Sequence, residues 1–216
     1  MQLDWTKTKL FRDHTQLGGF QLSASGVAID PSHTQVIREW PLPKTLADVR
    51  TFLGICGYYR KYIPSYARLA KPLLDLINDQ EEDAPMEMDV KQESTFHLLR
   101  DQLTRPPILT TPRWGSDDTF LLDTAWSQEP GAIGGVLSQI QDGKERVIAY
   151  GSRLLAKGEQ NYSSNKGEML AVVHFLEYWD HYLLGRKFLL RTDHQALQWI
   201  RTMDAPEGMI TRWLKI

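Results

Sequence analysis

The chain has 216 residues, of which 42% are hydrophobic and 24% charged, a balance typical of a folded globular protein rather than a disordered one. The net charge of −2 excludes a global attraction to nucleic acid or membranes, so any such signal must be local. The single cysteine, Cys56, excludes an internal disulfide, and no signal-peptide layout or apolar run of about 20 residues is present. We expect an intracellular protein, cytoplasmic or nuclear, without a membrane partner.

Residues 1–40 contain short strand-like stretches separated by turn signals. Positions 17–22 and 27–29 are apolar or alternate with polar residues, and Ser25-Gly26 lies between them. This pattern predicts a β-hairpin with little apolar surface to bury on its own, so we expect it to lean on the residues that follow.

A helical region follows a stiff Pro-Leu-Pro linker. Thr45 and Asp48 have the spacing of a capping box, and apolar residues then recur every three or four positions, which predicts an amphipathic helix. Gly54 and Gly57 are poor helix formers, so we expect close packing against a neighbouring element at both positions. A second helix is predicted from about Tyr66.

The same region is basic. Six basic residues and a single acid, Asp48, lie between positions 44 and 72, with tyrosines among them. Cations interleaved with aromatic rings are typical of a surface that binds a phosphate backbone. A solvated face above buried tyrosines explains the composition equally well. The candidate nucleic-acid-binding residues are Lys44, Arg50, Arg60, Lys61, Arg68, Lys71, Tyr58 and Tyr59.

The charge reverses over 73–101, where nine acidic residues accompany two basic ones. Positions 78–89 have no periodicity and predict a flexible acidic loop, because consecutive acids without the spacing of an EF-hand are usually solvated rather than bound to metal. Apolar residues at Phe96, Leu99 and Leu103 then indicate a short helix that ends before Pro106.

The C-terminal part of the chain predicts a sheet. Positions 120–127 form a strand bounded by turn residues, and 131–139 form a second strand whose glycines indicate that another element approaches its backbone. Asp142-Gly143, between two apolar runs, is a strong hairpin signal, so a third strand pairs with the second. These three strands should form an antiparallel meander.

A long helix over 163–184 and a fourth strand over 188–193 complete the pattern. Because a long helix connects it to the meander, the fourth strand is expected to pair in parallel. Glu168 lies near the start of the helix and Asp193 ends the strand, so both acids can converge on the first strand. The predicted fold class is α+β with a mixed sheet.

This order of elements and acids is the layout of RNase H-like proteins, and the chain also resembles the Pol polyprotein of LTR retrotransposons of the Ty3/gypsy type. The resemblance rests on several motifs that follow the family's order. They are LGGFQLSASG (17–26), FLGICGYYR (52–60), IP (63–64), GGVLSQ (134–139), IAY (148–150), NYS (161–163) and RTDH (191–194).

The resemblance implies an assignment for each segment. Residues 1–40 correspond to the end of the polymerase palm, with a primer-support hairpin, and 41–77 to the thumb helices that grip the duplex. Residues 78–116 correspond to an acidic loop and connector, and 117–216 to an RNase H-like domain lacking its C-terminal helix. The implied partners are an RNA–DNA hybrid or template–primer duplex and the rest of the Pol polyprotein, including its fingers and palm.

The resemblance also implies a chemistry, the cleavage of RNA in RNA–DNA hybrids with two Mg²⁺ ions held by four carboxylates. Glu168 and Asp193 match two of these ligands. Ala125 occupies the position of the first aspartate, immediately after Thr124, and the fourth carboxylate would fall after Ile216. We therefore expect a catalytically defective nuclease.

Three further questions stay open at this level. Asp123 shares a strand face with position 125 but lies about 6.6 Å along the strand, too far to replace a ligand that Mg²⁺ contacts at about 2 Å. Ala125 is consistent with either engineered inactivation or natural decay. The alternatives to a Pol segment are a domesticated, non-catalytic nucleic-acid-binding or protein-interaction module, and a chain completed by pieces of another chain.

Overall fold

The computed structural model of the protein describes residues 12–79, 86–114 and 118–192. Within these ranges a small sheet and four helices precede a second, larger sheet with its own helices. The elements are β1 (His14–Leu17), β2 (Phe20–Ser23), β3 (Gly26–Ile29), α1 (Pro31–Arg38), α2 (Leu46–Tyr58), α3 (Tyr66–Asp79), α4 (Val90–Thr104), β4 (Phe120–Ser127), β5 (Ala132–Gln141), β6 (Lys144–Leu154), α5 (Ser164–Tyr178), α6 (Asp180–Leu183) and β7 (Phe188–Arg191).

The N-terminal sheet has the order β1-β2-β3, and both pairings are antiparallel. The first turn is tight because Gly18 and Gly19 both have positive φ, 56° and 79°. The predicted hairpin is therefore two successive hairpins. Helix α1, which the sequence pattern did not predict, follows directly, with Asp30 accepting a hydrogen bond from the backbone N–H of Ser32 at 2.9 Å.

Helix α2 begins as predicted. The Asp48 N–H donates to Thr45 Oγ1 at 3.1 Å, and the Thr45 N–H donates to the Asp48 carboxylate at 3.0 Å, a complete capping box. Helix α3 starts at Tyr66, also as predicted, and carries Pro72 in its interior. Between the two helices, Arg60–Tyr62 form a short 3-10 turn.

The expected close packing at the α2 glycines is wrong. A Cβ built on Gly54 meets no heavy atom within 4 Å, and one built on Gly57 meets the Tyr66 hydroxyl only at an ordinary 3.8 Å. Gly54 is exposed. The sequence cannot distinguish a glycine that touches a neighbour from one that leaves open space, because both give the same interruption in a helical pattern.

The first hydrophobic core joins α2, α3 and α4 and extends from Ile29 to Leu109. The Phe52 and Phe96 rings lie 4.6 Å apart at the contact between α2 and α4. Helix α4 is longer than the predicted short helix, because a capping box between Asp89 and Gln92 starts it at Val90. Half of the predicted acidic loop over 78–89, residues 80–85, lies outside the described residues.

The larger sheet has the order β6-β5-β4-β7. Strands β4, β5 and β6 are antiparallel neighbours, and β7 pairs in parallel with β4, so the predicted mixed sheet is confirmed. Asp142 and Gly143 form the predicted hairpin turn, with φ of 52° and 71°. Strand β4 thus lies between two partners.

Helix α5 covers one face of this sheet. A Cβ on Gly135 would approach the Phe175 ring to 2.8 Å and one on Gly151 would approach it to 2.6 Å, which confirms that another element contacts the glycine-rich strand. The predicted helix over 163–184 is divided, because α5 ends at Tyr178 and α6 begins at Asp180. Ser163 occupies the N-cap position of α5 without a side-chain capping bond.

Two buried glutamines attach the segment before β4 to β5. Gln139 accepts from the Arg113 N–H at 2.9 Å and donates to the Arg113 carbonyl at 3.2 Å. Gln141 donates to the Thr111 carbonyl at 3.0 Å and to Gln139 Oε1 at 2.7 Å. These bonds satisfy buried backbone groups of an irregular segment, which fixes its path onto the sheet.

The two cores meet where α3 packs on β6, and the Ala67 N–H donates to Ser152 Oγ at 2.8 Å. An isolated bridge between Val27 and Leu109 links the N-terminal sheet to the segment after α4. The assigned boundaries at 40, 77 and 116 stay a prediction. Among the described residues, no helix has the length and apolar character needed to cross a membrane.

Candidate nucleic-acid interface and RNase H-like site

An apolar groove of about 600 Å³ lies between the β1–β2 turn, α1 and α2, and we call it the α2 groove. Its wall residues come from three separate stretches of chain, which explains why no single motif predicts it. They are Gly18, His33, Val36, Ile37, Thr51, Gly54, Ile55, Tyr58 and Tyr59.

The outward face of α2 forms one side of the α2 groove. Arg50, Gly54 and Tyr58 follow one another at intervals of four residues, so they lie on one face of the helix, and all three are exposed. Tyr58 is 56% exposed, and its hydroxyl donates to the Gly18 carbonyl at 2.5 Å. This bond ties the glycine turn to the helix, so the groove has a fixed width at Tyr58.

The predicted basic residues divide into two sets. Lys44, Arg50, Arg60 and Arg68 are exposed. Lys71 instead forms an i,i+4 ion pair with Asp75 at 2.5 Å. Lys61 lies 4.2 Å from the centre of the Phe20 ring, and burial lowers the pKa of its amino group.

Tyr59 is nearly buried, with a side chain that is only 2% exposed. Its predicted contact with nucleic acid stays a prediction. Its hydroxyl donates to the Gly19 carbonyl at 3.2 Å and lies 2.6 Å from His33 Nδ1. Tyr59 therefore holds α1 and the glycine turn against α2 as a buried part of the groove wall, whereas its neighbour Tyr58 is exposed.

The RNase H-like centre is built on β4. Ala125 is exposed and lies in the C-terminal half of this internal strand, opposite Gly134 on β5. Side chains alternate along a strand, so Ala125 shares a face with Asp123, while Thr124 and Trp126 point to the other face. Thr124-Ala125 thus occupies the interior of the sheet, as the sequence predicted.

Glu168 lies near the start of α5 and is 7% exposed. A Cβ on the preceding residue, Gly167, would overlap the Trp126 indole, so the start of α5 is in contact with the same end of β4 that carries Ala125. Helix α5 is on the Trp126 side of the sheet. Asp193 lies outside the described residues, so the convergence of Ala125, Glu168 and Asp193 stays a prediction.

Asp123 is held by an arginine that the sequence reading missed. Arg191 on β7 is directly opposite Asp123 in the parallel register and donates two hydrogen bonds of 2.6 Å to its carboxylate. The same guanidinium donates to both oxygens of Glu145 on β6, at 2.9 and 2.6 Å. No sequence signal could have found this cluster, because its members come from three strands.

Arg191 and Glu145 affect each other's protonation. The hydrogen bonds from Arg191 hold the pKa of Glu145 below its ordinary value, and those to Asp123 and Glu145 raise the pKa of Arg191. The guanidinium therefore stays charged and both acids are paired at neutral pH. This pairing gives a physical reason, besides distance, to expect that Asp123 does not substitute for an aspartate at position 125.

The described residues do not fit the two-metal site that the family chemistry requires. Ala125 has no donor atom, and both oxygens of Asp123 are bonded to Arg191. Over 12–79, 86–114 and 118–192, no group of three or more His, Cys, Asp or Glu side chains is arranged to hold a metal ion.

The C-terminal part of the chain is similar to a known protein family. Residues 116–216 match the family described as the RNase H-like domain found in reverse transcriptase. The resemblance that the motif order indicated is thereby confirmed.

The whole chain corresponds to a segment of LTR-retrotransposon Pol polyproteins. It is 33% identical over 99% of its length to the retrovirus-related Pol polyprotein from transposon 297 of Drosophila melanogaster, covering 19% of that protein. It is 32% identical over 99% of its length to the Pol polyprotein from transposon gypsy of the same organism, covering 21%. The chain thus spans about a fifth of the length of these relatives.

Solved structures share the fold. The foamy viral protease-reverse transcriptase in complex with dsDNA matches 97% of this chain and 43% of its own, with a TM-score of 0.77 and 18% identity. The same enzyme in complex with an RNA/DNA hybrid matches 97% of this chain and 28% of its own, with a TM-score of 0.75 and 18% identity.

Proposed function

We propose that this reverse-transcriptase/RNase H segment binds an RNA–DNA hybrid or template–primer duplex along the α2 groove but does not cleave the RNA strand. The observation that carries the proposal is Ala125, on the internal strand of the RNase H-like sheet, at the position of a metal-binding aspartate in the family. Binding and cleavage are separable because they depend on different residues.

The binding half is supported by the shape of the α2 groove and by exposed cations near it. Gly54 leaves open space on an exposed helix face, which lets the backbone of a ligand approach the helix closely. Arg50 and Lys44 are exposed on or just before that helix and can neutralise phosphates. Tyr58 offers a partly exposed ring for stacking beside them.

The complexes with dsDNA and with an RNA/DNA hybrid are properties of the foamy viral enzyme, and they support the same type of ligand for this chain. The relatives are also much longer than this chain, so we propose that it acts as part of a Pol polyprotein that supplies the fingers and palm. A chain completed by pieces of another chain and a domesticated nucleic-acid-binding module would both bind nucleic acid through the same groove.

The defect in cleavage is supported by the donor set. A methyl group cannot hold Mg²⁺, and the nearest acid on the same face, Asp123, is paired with Arg191. Glu168 and, from its sequence position, Asp193 are the remaining matches to the family's ligands. With Ala125 at the position of the first aspartate, the set of four carboxylates that holds the two ions in the family is incomplete.

Cleavage is tested with a labelled RNA–DNA hybrid and Mg²⁺. The fourth carboxylate, which the resemblance places after Ile216, is supplied by extending the chain with the corresponding C-terminal segment of the transposon 297 protein. The extended chain is compared with and without A125D, and we expect Mg²⁺-dependent cleavage only in the A125D protein. Comparable cleavage by the unsubstituted chain would contradict the proposal.

Binding is tested on the unextended chain with the same hybrid and no Mg²⁺. Gly54→Leu fills the open space on α2 without lowering helix propensity, so a folded protein with at least a tenfold weaker affinity is expected. Lys144→Gln, at the exposed β5–β6 turn, serves as the matched control and should bind as the wild type does. Equal affinities for all three proteins would exclude the α2 groove as the binding surface.

A further inference from the structure

A second cavity, of about 370 Å³, lies where the two cores meet, and we call it the joint cavity. The 3-10 turn and α3 form one wall and β6 and α5 the other. Its polar lining consists of Arg60, Tyr66, Ser152, Arg153, His174 and Tyr178. None of these side chains other than Arg60 was singled out from the sequence, because the cavity exists only once the two cores pack together.

Arg60 and Tyr178 meet across the joint cavity. A guanidinium N–H of Arg60 donates to the Tyr178 hydroxyl oxygen at 3.2 Å. Because the oxygen accepts this bond, the hydroxyl hydrogen of Tyr178 can be donated to a further acceptor. Both side chains reach solvent, since Arg60 is exposed and Tyr178 is 41% exposed. They form a pair of donors at the mouth of the cavity.

The charges around the cavity leave one cation in excess. Arg153 is paired with Glu159 through two hydrogen bonds, at 2.8 and 3.2 Å, so its charge is compensated. His174 is half-buried, and burial together with Arg153 and Arg60 lowers its pKa, while Glu159 opposes this shift. His174 is therefore neutral at pH 7 and offers one ring N–H. Arg60 supplies the remaining positive charge.

The position of Arg60 connects the joint cavity to the α2 groove. Arg60 follows Tyr58, a wall residue of the groove, by two positions in the chain. A duplex that occupies the groove and extends past the end of α2 therefore meets Arg60 next. One excess cation flanked by neutral donors suits a group with a single negative charge and several acceptor oxygens.

We propose that the joint cavity binds one phosphodiester group of the nucleic-acid backbone, with Arg60 neutralising its charge and Tyr178 donating a hydrogen bond. This inference rests on the proposed function, because the same duplex occupies the α2 groove. The contact attaches the duplex at the junction of the two cores. Binding of the duplex then stabilises their packed arrangement.

The test measures hybrid affinity as a function of salt concentration, using the whole chain and no divalent cation. Each neutralised phosphate contributes about 0.9 to the slope of log affinity against log salt. Arg60→Gln should therefore lower this slope by about one and weaken binding roughly tenfold at low salt. Arg60→Lys, which keeps the charge, should preserve the slope.

Tyr178→Phe separates the hydrogen bond from the charge. It should weaken binding roughly threefold at every salt concentration and leave the slope unchanged. Lys144→Gln is the matched control for loss of a cation, because residue 144 lies eight positions from Ser152 along β6, roughly 26 Å away. This control should change neither the slope nor the affinity. Thermal unfolding of each variant verifies that it is folded.

The outcomes separate the inference from the proposed function. If Gly54→Leu weakens binding but Arg60→Gln leaves the slope unchanged, the groove holds the duplex and the joint cavity does not. If Arg60→Gln and Lys144→Gln lower the slope equally, Arg60 acts only through the general field, and the site is also excluded. If Gly54→Leu leaves the hybrid affinity unchanged, the α2 groove is not the binding surface, and the proposed function is contradicted whatever the result for Arg60→Gln.

Discussion

The α2 groove and the β4 centre are the two regions of this chain to which we assign a role with nucleic acid, and they differ in the side chains they present. The groove has an open glycine and an exposed tyrosine, with exposed cations near it. The β4 centre has a methyl group at position 125, where the proposed function requires an aspartate for cleavage, and its nearest acid on the same face is paired with Arg191. Binding uses many small contacts, whereas metal-dependent cleavage requires a few specific donors, so one function can be lost alone.

The largest effect on stability is expected at a glycine of the RNase H-like part, Gly167. In Gly167→Ala the new methyl would overlap the Trp126 indole, which is packed against the second core, so α5 must move away from β4. We expect a loss of about 3 kcal/mol in the free energy of unfolding, measured by chemical denaturation. A loss below about 0.5 kcal/mol would mean that the contact between α5 and β4 is not tight.

The second-largest effect on stability is expected in the segment before β4, which Gln139 attaches to β5. Gln139→Leu removes the bonds to the Arg113 backbone and leaves buried polar groups without their partners, because Gln139 is fully buried. The expected cost is about 2 kcal/mol. Gln128→Leu, outside these contacts, is the control. An equal loss in its free energy of unfolding would show that the effect is not specific to the hydrogen bonds between Gln139 and Arg113.

A glycine-to-alanine substitution, which should destabilise the protein at Gly167, should stabilise helix α2 at Gly54. In Gly54→Ala the methyl points into open space, so only helix propensity changes, and a gain of about 0.8 kcal/mol is expected. Gly57→Ala should give a similar gain, since its nearest contact is an ordinary one at 3.8 Å. A destabilised Gly54→Ala protein would mean that the space in the groove is not open.

The smallest expected effect comes from the Arg191 cluster. Glu145→Gln should cost about 0.5 kcal/mol at pH 7, because the ion pair is partly exposed to solvent. The folded-state pKa of Glu145 is lowered, so its contribution is present above the unfolded value near 4.5 and is lost as the pH falls through the folded value. The free energies of unfolding of the two proteins should therefore converge as the pH falls below the folded-state pKa of Glu145.

If the difference in the free energy of unfolding between Glu145→Gln and the wild type grew on acidification, the ion pair between Glu145 and Arg191 would not account for it. High salt offers a second check, because it screens a partly exposed pair and should reduce the difference at pH 7.

Much of the fold could be predicted from local patterns. The capping box of Thr45 and Asp48, the Asp142-Gly143 turn and the parallel pairing of β7 all follow from residues close in sequence or from the length of a connection. Helix α1 was not predicted because its apolar face is short, with Ile37 as its buried residue. The break between α5 and α6 was also missed, because the apolar residues continue across it.

The candidate site was less predictable. Ala125 and Glu168 were located by motif, and their strand and helix were predicted correctly. The same pattern could not distinguish Tyr58 from Tyr59, although one is 56% and the other 2% exposed. Adjacent helical residues differ by 100° in direction, and which direction faces the core depends on the partner elements.

The sequence by itself determined the order of elements and the mixed sheet, because these depend on residue identity and local periodicity. Only the tertiary structure decided that Arg191 pairs with Asp123 and Glu145, that Gly54 faces open space and that Arg60 reaches Tyr178. These contacts join residues separated by tens of positions. Strand register and core packing, rather than local pattern, bring them together.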